Sequence, residues 1–327
     1  MQGAFSKRGI FHESTRITRI FSDSSPFVRF VENVLNPLGC LGCFALTRPN
    51  RTEARRIACM VIAHSIADSL QHVHTRMAEA AQHAHRNPAE VTLVAVSKTY
   101  PAQAMLEAMA VGQLDFGENR IEEALTKRAE IHQAISSSPL PAQSSPLSAQ
   151  SSPLRWHLIG HVQSRKAKDA AGQFDLIHSV DTLKLAEALD RRAAQQDSAC
   201  IQHVLLECNV SGETSKSGFE LSNWEHEPAR LTAFVDEVKR MWALPHLRID
   251  GLMTMAPIVE HAEQARPVFA SLRCLRDALR DAVPSHDQSS ALPHLSMGMS
   301  DDFEVAIAEG STLVRVGRAI FGERTTH

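Results

Sequence analysis

Short apolar runs and longer amphipathic segments alternate along most of the chain. Apolar runs rich in Val, Ile and Leu predict eight buried strands, at residues 91–97, 114–117, 156–159, 176–180, 203–210, 248–253, 294–297 and 312–316. Apolar residues at helical spacing predict helices at residues 66–85, 101–111, 120–135, 182–195, 228–242, 261–282 and 302–309. Regular alternation of this kind is typical of a parallel α/β fold.

The number of strands favours one parallel architecture. Eight strand and helix units with buried strands predict a (β/α)8 TIM barrel. The alternative is a doubly wound open sheet. No GxGxxG motif follows the first strand, and Gly117-Glu118-Asn119 is not a glycine loop that could surround a phosphate.

Two segments interrupt the pattern. Residues 1–60 are rich in Ser, Arg and Phe without a sustained period, and we expect them to be a disordered or mis-annotated N-terminal extension. A transit peptide or a start codon assigned too early, with the true start near Met60, explains the segment equally well. Residues 136–154 repeat Ser-Ser-Pro-Leu at 137, 144 and 151, which predicts a disordered insertion. The remainder, residues 61–327, is expected to form one barrel domain.

Charge and cysteine content exclude several classes of protein. Residues 1–59 hold nine Lys and Arg against four Asp and Glu, so the body of the chain is acidic and has no electrostatic footprint for nucleic acid. No apolar run approaches the roughly 20 residues needed to cross a bilayer. Cys40 and Cys43 form one CxxC pair without a second, which argues against a structural metal site. We expect a soluble, cytoplasmic protein.

Polar residues at the ends of the predicted strands indicate where chemistry would occur. In a TIM barrel the active site lies at the carboxyl ends of the strands. The sequence puts a ring of polar or small residues there: Lys98, Asn119, His161, Gln163, Ser179, Asn209, Met253, Thr254, Ser296, Ser300, Arg315 and Gly317.

Lys98 and the end of the last strand are the most informative members of this ring. An amine at the mouth of the barrel is desolvated, which makes it nucleophilic toward an aldehyde. Gly317 and Arg318 open a short predicted helix at residues 319–322, whose backbone N–H groups could bind a phosphate. A lysine and a phosphate site at opposite sides of one mouth would match the two ends of pyridoxal 5'-phosphate (PLP).

Eight motifs in order then resemble a known family. They are VAVSKT (94–99), FGEN (116–119), WHLIGHVQ (156–163), HSVD (178–181), SKSG (215–218), GLMTM (251–255), LSMGMSDD (295–302) and RVG (315–317). In this order they closely resemble the YggS/PROSC family, the pyridoxal phosphate homeostasis proteins. The resemblance spans about residues 62–323, apart from the Ser/Pro insertion, and it implies a fold like the barrel domain of alanine racemase.

The resemblance implies a role for several residues. Lys98 would bind PLP covalently as a Schiff base, Asn119 would line the ring, and Arg315 would face the pyridine nitrogen. Ser296 or Ser300 would hold the phosphate together with the backbone amides of Gly317 and Arg318, and the choice between the two serines stays open. The family also implies a monomer that contributes to intracellular PLP homeostasis.

Three positions depart from the pattern of the family. Arg120 follows GEN where Tyr is common, Arg165 replaces the Asn of QSNK, and Arg318 stands where Thr is frequent. The first two lie outside the centre of the ring. Arg318 loses a hydroxyl contact to phosphate but keeps its backbone N–H.

The sequence favours a carrier of PLP over a catalyst. Arg315 cannot accept a proton from the pyridine ring, which weakens the ring as an electron sink. A racemase tolerates this arrangement but needs a second base, and the one tyrosine of the chain, Tyr100, lies two residues from Lys98. We therefore expect a protein that holds PLP and delivers it to apo-enzymes. An active racemase and a cofactor-free, aldolase-like barrel are the alternatives. Lys216 is interpreted as a solvated loop lysine, in preference to a transfer or secondary cofactor site.

Overall fold

The computed structural model describes residues 65–137, 154–282 and 292–323. The predicted extension at 1–60, Cys40 and Cys43, and residues 138–153 of the predicted insertion lie outside these ranges. At its edges Ser136 ends a helix and Leu154 is buried.

The strands of the described ranges form a parallel barrel. They are β1 (Thr92–Val96), β2 (Asp115–Glu118), β3 (Arg155–Leu158), β4 (Leu176–Val180), β5 (Gln202–Asn209), β6 (Phe219–Glu220), β7 (Leu247–Met253), β8 (His294–Ser296) and β9 (Leu313–Val316). Strand β9 pairs with β1 and β4 pairs with β5, so all strands except β6 close into a ring of eight. The prediction of a TIM barrel is confirmed.

Helices surround this barrel. They are α1 (Ile66–His83), α2 (Ala102–Ala110), α3 (Ile121–Ser136), α4 (Ala167–Ala170), α5 (Leu183–Gln196), α6 (Pro228–Trp242), α7 (Arg266–Ala282), α8 (Phe303–Ala308) and α9 (Arg318–Phe321). The segment predicted as a helix from residue 261 begins with a 3-10 turn, Ala262–Ala265. Among the helices of the described ranges, none is long and apolar enough to span a membrane.

Alternation along the strands separates two apolar layers. Val94, Leu176, Leu205, Met253 and Leu313 form a small cluster that is distinct from the large core under the helices. Because successive strand residues point to opposite faces, these five side chains fill the interior of the barrel. Residues that lie two or four positions further toward the carboxyl ends of these strands point to the same side, and they therefore point into the mouth of the barrel.

Candidate functional site

Lys98 lies just beyond the end of β1 and is half-buried. It is in step with the inward-facing Val94, two residues after the end of the strand. The amide N–H of Tyr100 donates to the carbonyl oxygen of Ser97 at 3.0 Å, so Lys98 stands in a tight turn. Thr99, the next residue in this turn, has a φ angle of +69°.

The predicted site residues lie on four neighbouring strands. In the barrel the order is β8, β9, β1 and β2, whose ends carry Ser300, Gly317, Lys98 and Asn119 respectively. The lysine and the phosphate site were expected at opposite sides of the mouth, but the residues predicted for them, Lys98 and Gly317, follow neighbouring strands. Strand β1 pairs directly with β9, and neighbouring strands lie about 4.8 Å apart.

Arg315 is a buried cation inside the barrel. On β9 it is in step with Leu313, and it is 5% exposed. Its Nη1 donates to Ser296 Oγ at 2.5 Å and its Nη2 donates to the carbonyl oxygen of Thr254 at 2.9 Å. Burial lowers the pKa of Arg315 to about 10, against the opposing effect of Asp302 and Glu207. The guanidinium therefore remains charged at neutral pH and acts only as a donor.

A series of hydrogen bonds runs from Arg315 into the barrel. Ser296 Oγ accepts from Arg315 and can donate its own proton to His178 Nδ1, 2.9 Å away. His178 Nε2 must then carry the ring proton, and it lies 2.9 Å from His157 Nδ1. Burial holds the pKa of His178 well below its usual value, so this imidazole is neutral.

This series ends on a carboxylate at the opposite ends of the strands. Because the Asp115 carboxylate can only accept, His157 Nε2 carries a proton and donates to Asp115 Oδ1 at 3.1 Å. Arg155, which is half exposed, donates to the same carboxylate from Nε at 2.6 Å. Burial alone would raise the pKa of Asp115, but the hydrogen bonds from His157 and Arg155 outweigh it and hold the pKa below its usual value. The series therefore begins at a group that only donates, Arg315, and ends at a carboxylate that only accepts, Asp115.

The two candidate serines occupy different environments. Ser296 is fully buried and its hydroxyl group is used by Arg315 and His178. Ser300 is half-buried in the turn after β8. This turn is held by Asp302, whose Oδ1 accepts the amide N–H of Met299 at 2.6 Å. Of the two serines, Ser300 is therefore the more accessible.

Close backbone packing shapes the remaining edges of the site. Gly317 precedes α9, and a Cβ atom at this position would lie 3.2 Å from the carbonyl oxygen of Val96. The exposed side chain of Arg318 forms an ion pair with Asp301, across the turn that carries Ser300. Asn119 is half-buried and packs against Gly160, where a Cβ atom would overlap the carbonyl oxygen of Asn119.

The side chains of three other members of the predicted ring donate hydrogen bonds to backbone carbonyl oxygens. Ser179 Oγ donates to the carbonyl oxygen of Gly160, and Thr254 Oγ1 donates to that of Cys208, both at 2.7 Å. Asn209 Nδ2 donates to the carbonyl oxygen of Glu213 at 3.0 Å.

Two basic residues singled out in the sequence, His161 and Lys216, each lie close to an acidic side chain. His161 Nδ1 lies 3.1 Å from Asp181 Oδ2. Lys216 Nζ lies 3.8 Å from Glu213 Oε2, and its side chain is 21% exposed.

One carboxyl group at the mouth was not predicted from the sequence. Glu207 on β5 is in step with the inward-facing Leu205, and it is buried. Burial, reinforced by Asp181, raises the pKa of Glu207 to about 7. The alternation of β5 already puts Glu207 in step with Asn209, and this was the signal available in the sequence.

Comparison with known proteins agrees with this geometry. Residues 69–325 match the family of the alanine racemase N-terminal domain. A pyridoxal phosphate homeostasis protein from Pseudomonas aeruginosa is 43% identical over 263 residues, which are 80% of this chain and 96% of the relative. The chain belongs to the pyridoxal phosphate homeostasis protein family. The resemblance identified from the eight motifs is therefore confirmed.

Solved structures agree with the family and the fold. PipY of Synechococcus elongatus PCC7942, solved with PLP bound, is 37% identical with a TM-score of 0.58, over 75% of this chain and all of PipY. An alanine racemase of Clostridium difficile is 13% identical with a TM-score of 0.50, over 77% of this chain and 57% of the racemase. The latter likeness concerns the barrel fold alone.

Proposed function

We propose that this chain binds PLP at the mouth of its barrel and holds it there as a Schiff base on Lys98. In this proposal Ser300 and the backbone amides of Gly317 and Arg318 bind the phosphate group. Arg315 faces the pyridine nitrogen, Asn119 lines the ring, and Ser296 keeps Arg315 in place instead of binding phosphate. The observation that carries the proposal is the position of a half-buried lysine between these groups in a chain of this family.

The residues at the mouth fit such a ligand. A half-buried amine is desolvated and therefore more nucleophilic toward an aldehyde than an exposed one. Gly317 has no side chain to fill the space between its backbone and β1. Arg318 adds a positive charge next to Gly317. One small molecule can bridge these groups because the strands that carry them are neighbours.

The environment of the pyridine nitrogen favours storage over catalysis. PLP supplies an electron sink for amino-acid chemistry when its pyridine nitrogen is protonated by an acidic partner. Arg315, with a pKa of about 10, offers only donor groups at neutral pH and cannot be such a partner. Its guanidinium is also held on both sides, by Ser296 and by the carbonyl oxygen of Thr254.

The position of Tyr100 argues against a racemase. Its hydroxyl group donates to the carbonyl oxygen of Gly322, and its ring packs on Phe321 with the centroids 5.0 Å apart. The one tyrosine of the chain therefore serves to fasten the end of the barrel domain. We propose a carrier that takes part in intracellular PLP homeostasis and delivers PLP to apo-enzymes.

Purified full-length protein incubated with PLP tests the proposal. We expect a near-visible absorption band from the Schiff base, and no band in Lys98→Ala. Treatment with borohydride should attach the cofactor covalently to the peptide containing Lys98. Lys216→Ala is the matched control and should retain the band, since Lys216 is paired with Glu213 in the loop after β5. A wild-type protein that stays colourless would refute PLP binding at this site.

Two further measurements separate the alternatives. Turnover of amino acids by the PLP-loaded protein would favour a racemase. Reaction of Lys98 with sugar phosphates in protein without PLP would favour an aldolase-like barrel. Restoration of activity to an apo-enzyme, at a rate above that given by an equal amount of free PLP, supports delivery.

A further inference from the structure

The turn that carries Lys98 has a backbone conformation that its own sequence does not favour. The turn comprises Ser97 to Tyr100 and is closed by the hydrogen bond between these two residues. Thr99 stands at its third position with a φ angle of +69°. Glycine or asparagine is usual in the left-handed region, and a β-branched residue there is an outlier that the surrounding structure must hold.

Side chains of β2 and α3 bind the peptide groups on both sides of Lys98. Glu123 Oε1 accepts the amide N–H of Thr99 at 2.6 Å. Lys127 Nζ donates to the carbonyl oxygen of Ser97 at 2.7 Å, and Ser97 Oγ donates to Glu118 Oε1 at 2.7 Å. We refer to Glu118, Glu123 and Lys127 as the clamp.

The clamp is itself a closed and buried unit. Lys127 Nζ donates to Glu118 Oε1 at 2.8 Å and to Glu123 Oε1 at 2.7 Å. With the carbonyl oxygen of Ser97, these contacts use all three N–H groups of the ammonium. The side chain of Lys127 is 7% exposed and that of Glu118 is fully buried. Glu123 and Lys127 are four residues apart on α3, which places them on one face of the helix.

We propose that Glu123 and Lys127 are positioning residues, which keep Thr99 in the left-handed conformation and so direct the amine of Lys98 into the mouth of the barrel. This inference rests on the proposed Schiff base at Lys98. A glycine at position 99 would adopt the same backbone conformation without help. With threonine there, the orientation of Lys98 depends on the clamp.

Four variants test the inference. The measured quantity is the rate at which PLP forms a Schiff base on Lys98, followed by trapping samples with borohydride. Lys127→Met removes the ammonium group and keeps most of the stem, and we expect it to lower this rate about tenfold. Adding Thr99→Gly to Lys127→Met should restore most of the rate, because glycine no longer needs the clamp. Glu123→Gln keeps the size of the side chain and should give a smaller, roughly threefold decrease. Lys239→Met, an exposed lysine on α6, is the control and should leave the rate unchanged.

The outcomes separate the inference from a general loss of stability. The unfolding midpoint of each variant is measured in parallel without PLP. A folded Lys127→Met variant with the wild-type rate would overturn the inference, as would a double variant no faster than Lys127→Met. If Lys127→Met does not fold, a wild-type rate in Glu123→Gln overturns it. If the wild-type protein gives no adduct on Lys98, the proposed function itself fails, whatever the variants do.

Discussion

Replacing Ser296 by alanine tests the division of labour between the two serines. The substitution removes the one hydroxyl group between Arg315 and His178, both of which are buried. Arg315 keeps its hydrogen bond to the carbonyl oxygen of Thr254. His178 Nδ1 is left as a buried acceptor without its partner. Ser296→Ala should therefore destabilise the fold, whether or not a ligand is present.

The size of this effect follows from the two hydrogen bonds that the Ser296 hydroxyl group makes. A buried hydrogen bond between neutral groups contributes about 1 kcal/mol, and one to a charged group contributes about 1.5–3 kcal/mol. The variant should therefore lose about 3 kcal/mol of the free energy of unfolding. This is a large fraction of the roughly 5–15 kcal/mol that is typical of a whole domain.

Urea unfolding followed by circular dichroism measures the loss. We expect a lower midpoint with an unchanged slope, which signifies a change in stability alone. Ser300→Ala is the matched control, because its hydroxyl group lies in a half-buried turn. It should keep the midpoint and instead weaken PLP binding about tenfold, as expected for one lost hydrogen bond to a charged phosphate. A Ser296→Ala variant within about 0.5 kcal/mol of wild type would refute the assignment.

Two further predictions concern pH. Because the pKa of Glu207 is about 7 in the folded protein and 4.5 in an unfolded chain, the folded state binds more protons between these values, and stability falls as pH rises through them. Glu207→Gln should remove this fall and raise the free energy of unfolding at pH 8 by roughly 3 kcal/mol. His178 acts in the opposite sense: its folded pKa lies well below 6.5, so the unfolded state binds more protons and stability falls as pH drops below 6.5. In unfolding experiments at pH 5–7, His178→Gln should reduce the fall of the free energy of unfolding with decreasing pH. If this pH dependence is unchanged, the imidazole is protonated in the folded state.

The regular parts of the fold were predictable from the sequence. Strand β4 and helix α6 have the bounds that the pattern predicted, Leu176–Val180 and Pro228–Trp242. Helix α4 and strand β6 were missed, because four and two residues are too few to show a period. Their conformation depends on neighbours that lie elsewhere in the chain.

The site was predictable where it follows from strand ends and motifs. The positions of Lys98 and Arg315 at the ends of β1 and β9 agree with the sequence analysis. The hydrogen bonds inside the barrel were not predictable. His178 and Ser296 are 118 residues apart, and only closure of the barrel brings them within 2.9 Å. The adjacency of β1 and β9, by contrast, follows from the closed barrel that the sequence predicts.

The series of hydrogen bonds through the barrel has a consequence for how this sequence can change over time. A donor at any position of the series requires an acceptor at the next, so a substitution on one strand restricts what its neighbours on other strands can become. Asp115, His157, His178 and Ser296 belong to four different strands and are far apart in sequence. Among relatives these positions should therefore vary together or stay constant together, and a change in one of them alone should be rare.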